Sequence, residues 1–453
     1  MTRPLAGAGG RGAVLRTVVD SLVAAGHVVR CAVVGGPATP DPVTGAASVH
    51  RLPDVALLDV LTGGHARRRG LRSWNERLYW SPAAAAAVRR LVAEHAVDLV
   101  VADGVRLAAH AEDSGAPWFV DLDDLLSERY DLWRTRRMDL HQLLGHRRPA
   151  GPAATVLRAV PVRRLLRAEA RALRAREVDL ARRAPGVSLV SPVEAARLAE
   201  RSGTAVRALP MAVSTAVHRD WRPGGLPAPL DRRLVFPGSL TAFANEEAVR
   251  WWIEELEPAL RAHGLRGWQL HVFGEVPAPA AARVRAPSVV LRGALPRERL
   301  HAELVRHALL LAPQREALGL TVKVVEAAAL GLVPVTTPQG ASGLGAEPGR
   351  DLLLFGGGDD LARVLADVER WAREDPAALP ALAARARAWA GSSFSPAVLT
   401  GRWARVVEDL VPGPTATATA TARDAVPAVP AVPAVPAVPA ARRTPHPTRG
   451  GTR

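Results

Sequence analysis

The chain has 453 residues, 48% of them hydrophobic, with a net charge of +15 and a single cysteine, Cys31. That length and apolar content suit two α/β domains with substantial cores. One cysteine excludes an internal disulfide and a cysteine metal cluster, as expected of a cytoplasmic protein, and no apolar run is long enough to span a bilayer. The basic balance invites a nucleic-acid reading, but aromatic residues are only 4% and do not interleave with the basic stretches, so no nucleic-acid partner is expected.

In chain order, residues 7–12 are glycine-rich and open a helix over 13–25, and Gly26-His27 leads into a strand over 28–34. Residues 97–102 read as a strand, 106–112 as a helix and 118–122 as another strand, which ends in Asp121-Leu122-Asp123-Asp124. That acidic run is read as cleft lining or helix capping rather than as a metal site. Residues 125–185 form a helical, arginine-rich insertion broken by Pro and Gly at 149–152. From Arg158 to Arg183 nine arginines face Glu169, Glu177 and Asp179, and Leu166, Ala170, Leu173 and Leu180 share one stripe. Such a basic amphipathic helix fits an anionic membrane surface, and equally a solvated cover helix. A strand over 187–190 follows, then Ser191-Pro192-Val193-Glu194, a Ser-x-x-Glu capping box. The N-terminal domain is expected over 1–212 and a linker over 213–232. Residues 412–453 carry proline at every third position over much of their length, which forbids helix and sheet ladders and predicts an extended tail.

The remaining segment, 233–411, contains Lys323, the one lysine among 59 basic residues. One isoleucine, two asparagines and two tyrosines point to a GC-biased coding sequence, which converts a lysine needed only for charge into arginine. Lys323 therefore performs a task that a guanidinium cannot, and a compact ammonium on phosphate is the standard example. Its surroundings agree. Residues 308–312 read as a buried strand, 320–330 as a helix ended by Gly331, and 333–336 as a second strand, a βαβ unit whose ligands gather at strand carboxyl ends and helix N-termini. Lys323 lies in the first turn and Glu326 three residues on, so both project from one face.

This half of the chain resembles the retaining nucleotide-sugar glycosyltransferases of GT-B architecture, known as glycosyltransferase group 1 or family 4. The resemblance rests on ordered stretches: Phe236-Pro237-Gly238-Ser239-Leu240; Asn245 with Trp251-Trp252 and Glu257-Pro258; Phe273-Gly274; the strand end at Gly293; Pro313, Arg315, Gly319, Lys323 and Glu326-Ala327; and Pro334-Val335-Thr336-Thr337-Pro338 with Gly340, Gly343 and Leu344. It implies two Rossmann-like domains with a cleft between them, a nucleotide diphosphate sugar as donor, no bound cofactor and no metal. It further implies that Lys323 and Arg315 neutralise the donor pyrophosphate, that backbone N–H groups at Gly238 and Ser239 approach it, that Gly319 belongs to the donor loop, and that Glu326 accepts from the ribose hydroxyls. Gly10, in the N-terminal glycine-rich segment, is expected to face the donor across the cleft. In the family a central first strand precedes that segment. Residues 1–5 are too short and polar to supply it, which predicts a start upstream of Met1 or an impaired domain. Ala317 replaces a usual glycine, and Thr321 a usual basic or polar residue.

The activity implied is transfer of a sugar to an acceptor hydroxyl with retained configuration, the departing phosphate assisting in deprotonation. The acceptor is left open among glycan, lipid-linked and natural-product classes. Asp103 and Asp121, at strand ends facing the presumed cleft, are the candidate catalytic carboxylates. Two other readings use the same fold. A nucleotide-sugar epimerase would need acid and base groups at the sugar, for which the donor segment offers no histidine; a non-catalytic scaffold would need neither.

Overall fold

The computed structural model describes residues 10–34, 43–55, 64–135, 162–213, 230–316 and 318–411. The expected first strand, the middle of the arginine-rich insertion, most of the linker, Ala317 and the repetitive tail lie outside those residues.

In the C-terminal half, runs of consecutive apolar residues form strands covered on both faces, as parallel strands require. They are β7 (Arg233–Pro237), β8 (Gln269–Phe273), β9 (Val289–Gly293), β10 (Leu309–Ala312), β11 (Val333–Thr336) and β12 (Leu353–Leu354). All pair in parallel, in the order β12-β11-β10-β7-β8-β9. Strand order reverses at the β7/β10 boundary, so the carboxyl ends of those two strands form the crevice where open α/β sheets bind ligands. Two apolar clusters fill the two faces, one built on Phe236, Trp252 and Leu309, the other on Val235, Leu310 and Val324.

The N-terminal half carries β1 (Arg30–Val34) paired with β2 (Ser48–Leu52), and a second parallel sheet of β3 (Val100–Asp103), β4 (Trp118–Asp121), β5 (Gly186–Leu189) and β6 (Arg207–Ala208) in that order. Among the described residues the two sheets are not joined. The first helix runs over Gly10–Ala24, so Gly10 opens a helix rather than belonging to a loop. The last helix, Pro396–Leu410, was expected in the C-terminal domain but packs on the N-terminal sheet: Trp403 meets Phe119 edge to face at 5.6 Å, within a cluster that includes Leu22 and Leu209.

The helix Val162–Arg183 buries its expected stripe and also two of its carboxylates. Glu169, 2% exposed, accepts from Trp74 N at 2.8 Å and from both nitrogens of Asn75. Glu177, 1% exposed, accepts from Ser127 N at 2.8 Å, and burial raises its carboxyl to about 7. Each acid thereby satisfies the unpaired N–H groups at the start of another helix, Trp74–Arg77 and Leu126–Thr135 respectively. Arg176 is clamped between Glu76 and Glu112, at 2.8 and 2.9 Å. Arg163, Arg164, Arg167 and Arg171 are exposed and form no ion pair among the described residues. One helix therefore has an anchored C-terminal part and a row of exposed guanidinium groups nearer its start.

Candidate donor site

Two turns meet at the crevice. One follows β7 and carries Gly238 and Ser239; the other follows β10 and leads to the helix Val322–Leu330, whose N-cap residue Thr321 supplies no side-chain cap. The N–H groups of Val322 and Val324 already donate to Leu320 O and Thr321 O at 2.9 Å, so the helix offers an anion chiefly its positive dipole end.

Lys323, half-buried in the first turn of that helix, extends to Asn245, where Nζ donates to Oδ1 at 2.8 Å. The ammonium also lies 3.9 Å from the Phe236 ring centroid. Both partners are neutral, and among the described residues no carboxylate pairs with this lysine. Burial pushes its ammonium down from 10.5 to about 7. A cation held by an amide and a ring in a partly dry crevice is uncompensated, as an anion site requires.

Asn245 also donates from Nδ2 to Ser239 O at 2.8 Å, tying the lysine to the turn after β7. The expectation that Gly238 offers its N–H to a ligand is corrected, because that group donates to Phe273 O at 2.7 Å within the sheet. Gly238 is needed for space instead: a Cβ there would stand 2.9 Å from the Asn245 side chain. Gly274, at φ +152°, is needed for both conformation and space, since its Cβ would fall 2.5 Å from Gly238 O.

Glu326 does not pair with Lys323 despite their i,i+3 spacing. Its Oε1 lies 2.8 Å from His301 Nε2 and 3.5 Å from an Arg297 nitrogen. Burial raises the carboxyl, but the hydrogen bond from His301 and the charges of His301 and Arg297 outweigh it and leave it below its usual value. His301 comes from the helix Arg297–Leu304, outside the segment read as the donor loop, so the absence of histidine noted there does not hold for the folded site.

Arg315 is not brought to Lys323 by any contact described. Its guanidinium pairs with Glu255 and lies 4.4 Å from the Trp251 ring centroid, while Trp251 Nε1 donates to Glu255 Oε2 at 2.9 Å. Trp251 ends the helix Phe243–Trp251, and Glu255 lies within the π-helical turn Trp252–Leu256 that follows it. Gly319 adopts φ +71° and approaches the N-terminal half, an added Cβ lying 3.8 Å from Val190.

In the N-terminal half, with no described contact to Lys323 or Glu326, Asp103 and Asp121 are register partners at the carboxyl ends of β3 and β4. Both are buried, and Asp121 accepts from Ser188 Oγ at 3.0 Å. They line a cavity of about 630 Å³ that also touches Leu15, Leu22 and Val407.

Residues 231–372 match the family model of the glycosyl transferases group 1. The chain has the GT-B fold. Sucrose-phosphate synthase from Thermosynechococcus elongatus is similar over 90% of this chain and 96% of its own, at 15% identity and TM-score 0.61. HepE from Anabaena, solved in complex with UDP and glucose, is similar over 90% and 98%, at 13% identity and TM-score 0.58. A glycosyltransferase from Rickettsia africae is similar over 89% and 97%, at 11% identity and TM-score 0.57. No curated protein sequence matches the chain. Lys323, Asn245, Glu326 and His301 belong to the C-terminal half, which contains the matched residues, and Asp103 and Asp121 to the N-terminal half.

Asn245 and His301 were not read as functional from sequence. A signal for Asn245 existed: asparagine is nearly as rare here as lysine, and the other one, Asn75, sits in the buried network of Glu169, Tyr130 and Arg106. His301 carried no such mark, because its partner is 25 residues away and is met only through packing of two helices.

Proposed function

We propose that the protein is a GT-B glycosyltransferase that takes a sugar from a nucleoside diphosphate sugar and passes it to an acceptor hydroxyl with retained anomeric configuration. The observation that carries this reading is the uncompensated Lys323 ammonium beside an uncapped helix N-terminus at the sheet's switch point. The family match of residues 231–372 supports it.

In this mechanism the bond from the sugar C1 to the diphosphate oxygen breaks, and its electron pair stays on the leaving diphosphate. The acceptor oxygen bonds to C1 on the same face, and its proton passes to a departing phosphate oxygen. Lys323 and the helix N-terminus stabilise the growing negative charge, so the step needs no metal. Arg315 joins them only on leaving Glu255. Glu326, whose described contacts fall on Oε1, accepts from the ribose hydroxyls with Oε2. Asp103 and Asp121 bind the acceptor and orient its hydroxyl, whose proton goes to the phosphate.

UDP is the first nucleotide to test, since HepE holds it. The exposed row Arg163, Arg164, Arg167 and Arg171 supports an anionic membrane surface as the place where the acceptor is met. Incubation with UDP-, GDP-, ADP- and TDP-sugars tests the activity. Slow release of one diphosphate, lost in Lys323→Ala, is expected; interconversion of sugar epimers, or no turnover of any donor, would contradict the proposal.

A further inference from the structure

Asn245 lies between the two halves of the donor crevice. Its Oδ1 accepts from Lys323 Nζ at 2.8 Å, its Nδ2 donates to Ser239 O at 2.8 Å, and a Cβ on Gly238 would strike its side chain. The two hydrogen bonds leave the amide only one useful orientation, with its acceptor toward the cation. No other hydrogen bond of the ammonium is described, and Phe236 closes one side of it.

We propose that Asn245 is the positioning residue of the donor site: it holds the Lys323 ammonium against the turn after β7, so that a diphosphate meets the cation and the Ser239 N–H together. This rests on the reading of Lys323 as the diphosphate cation. A neutral amide is suited to the task. A carboxylate in its place would orient the lysine equally well but neutralise it, and would repel the incoming phosphates. An apolar side chain would leave a flexible four-carbon stem to find its own place.

Because Lys323 is the only lysine, lysine labelled with ¹³C at Cε gives the intact protein one side-chain resonance. Its pH titration is followed in the native chain, Asn245→Asp and Asn245→Ala, and UDP affinity is measured on the same samples. The native midpoint is expected near 7. The Asp variant should raise it by about one to three pH units, and both variants should weaken UDP about tenfold or more. An Asp variant with an unmoved midpoint refutes the contact. A moved midpoint with native UDP affinity in both variants refutes the positioning role, while loss of UDP binding in Lys323→Ala keeps the donor site itself intact as a reading. If UDP leaves the native lysine resonance unchanged, the donor-site reading fails and this proposal fails with it.

Discussion

Glu326 and His301 meet at 2.8 Å although 25 residues separate them, and the contact turns Glu326 away from Lys323 on the same helix face. In the proposed reading, that division leaves the ammonium for phosphate and the carboxylate for hydroxyl groups. Glu326→Ala should therefore weaken UDP by about tenfold, the worth of a hydrogen bond to a charged group, and should erase its advantage over 2′,3′-dideoxy-UDP. His301→Ala should cost less but move in the same direction. Calorimetric titration with both nucleotides checks this; an unchanged preference for the ribose hydroxyls in Glu326→Ala would remove Glu326 from the site.

Lys323 makes donor binding depend on pH. Its folded-state value of about 7 lies below its ordinary 10.5, so its own contribution to stability is fullest above pH 10.5 and is lost as pH falls toward 7. A diphosphate reverses that preference by pairing with the charged form. UDP binding near pH 8 should therefore take up a proton, and affinity should fall as pH rises above about 7. Titrations in two buffers of different ionisation enthalpy measure the uptake. Lys323→Ala should show none.

The turn after β7 depends on a neighbouring glycine. Gly274→Ala would force a side chain into φ +152° and against Gly238 O at 2.5 Å. We expect it to destabilise the fold by about 2 kcal/mol or more, the range of stored backbone strain, and to abolish UDP binding in whatever remains folded. Denaturant unfolding measures the first effect, and native-like stability would contradict it.

The four exposed arginines of the Val162–Arg183 helix should act additively on an anionic surface, at about 1 kcal/mol each. Replacing Arg163, Arg164, Arg167 and Arg171 by glutamine should abolish sedimentation with phosphatidylglycerol vesicles at low salt. Thermal stability should be nearly unaltered, since none forms an ion pair among the described residues. Vesicle binding that survives the change would assign it elsewhere.

Much of the donor half was legible in sequence because parallel strands covered on both faces appear as unbroken apolar runs. Ala308 to Ala312 and Val333 to Thr336 are such runs, and the structure places β10 and β11 there with a difference of at most one residue. The position of Lys323 in the first helical turn was legible for a similar local reason. What was not legible depends on partners distant in sequence. The N–H of Gly238 is consumed by β8, Arg315 is engaged by Glu255 within a π-helical turn, and Glu326 is met by His301. The buried acids of the arginine-rich helix did leave a trace: Glu169 and Glu177 fall on the stripe of Leu166, Leu173 and Leu180, where a solvated helix would place apolar residues. They were counted only as charge.

The central claim, that Lys323 binds the diphosphate of a nucleotide-sugar donor, is tested most directly by thermal unfolding of the native chain and Lys323→Ala with UDP, GDP, ADP or TDP. At a concentration 100 times its Kd, a ligand bound only to the folded state adds about 2.7 kcal/mol, enough to raise the melting temperature measurably. The account predicts a rise with one of these nucleotides in the native chain and none in the variant. Equal stabilisation of both proteins, or of neither by any nucleotide, would contradict it.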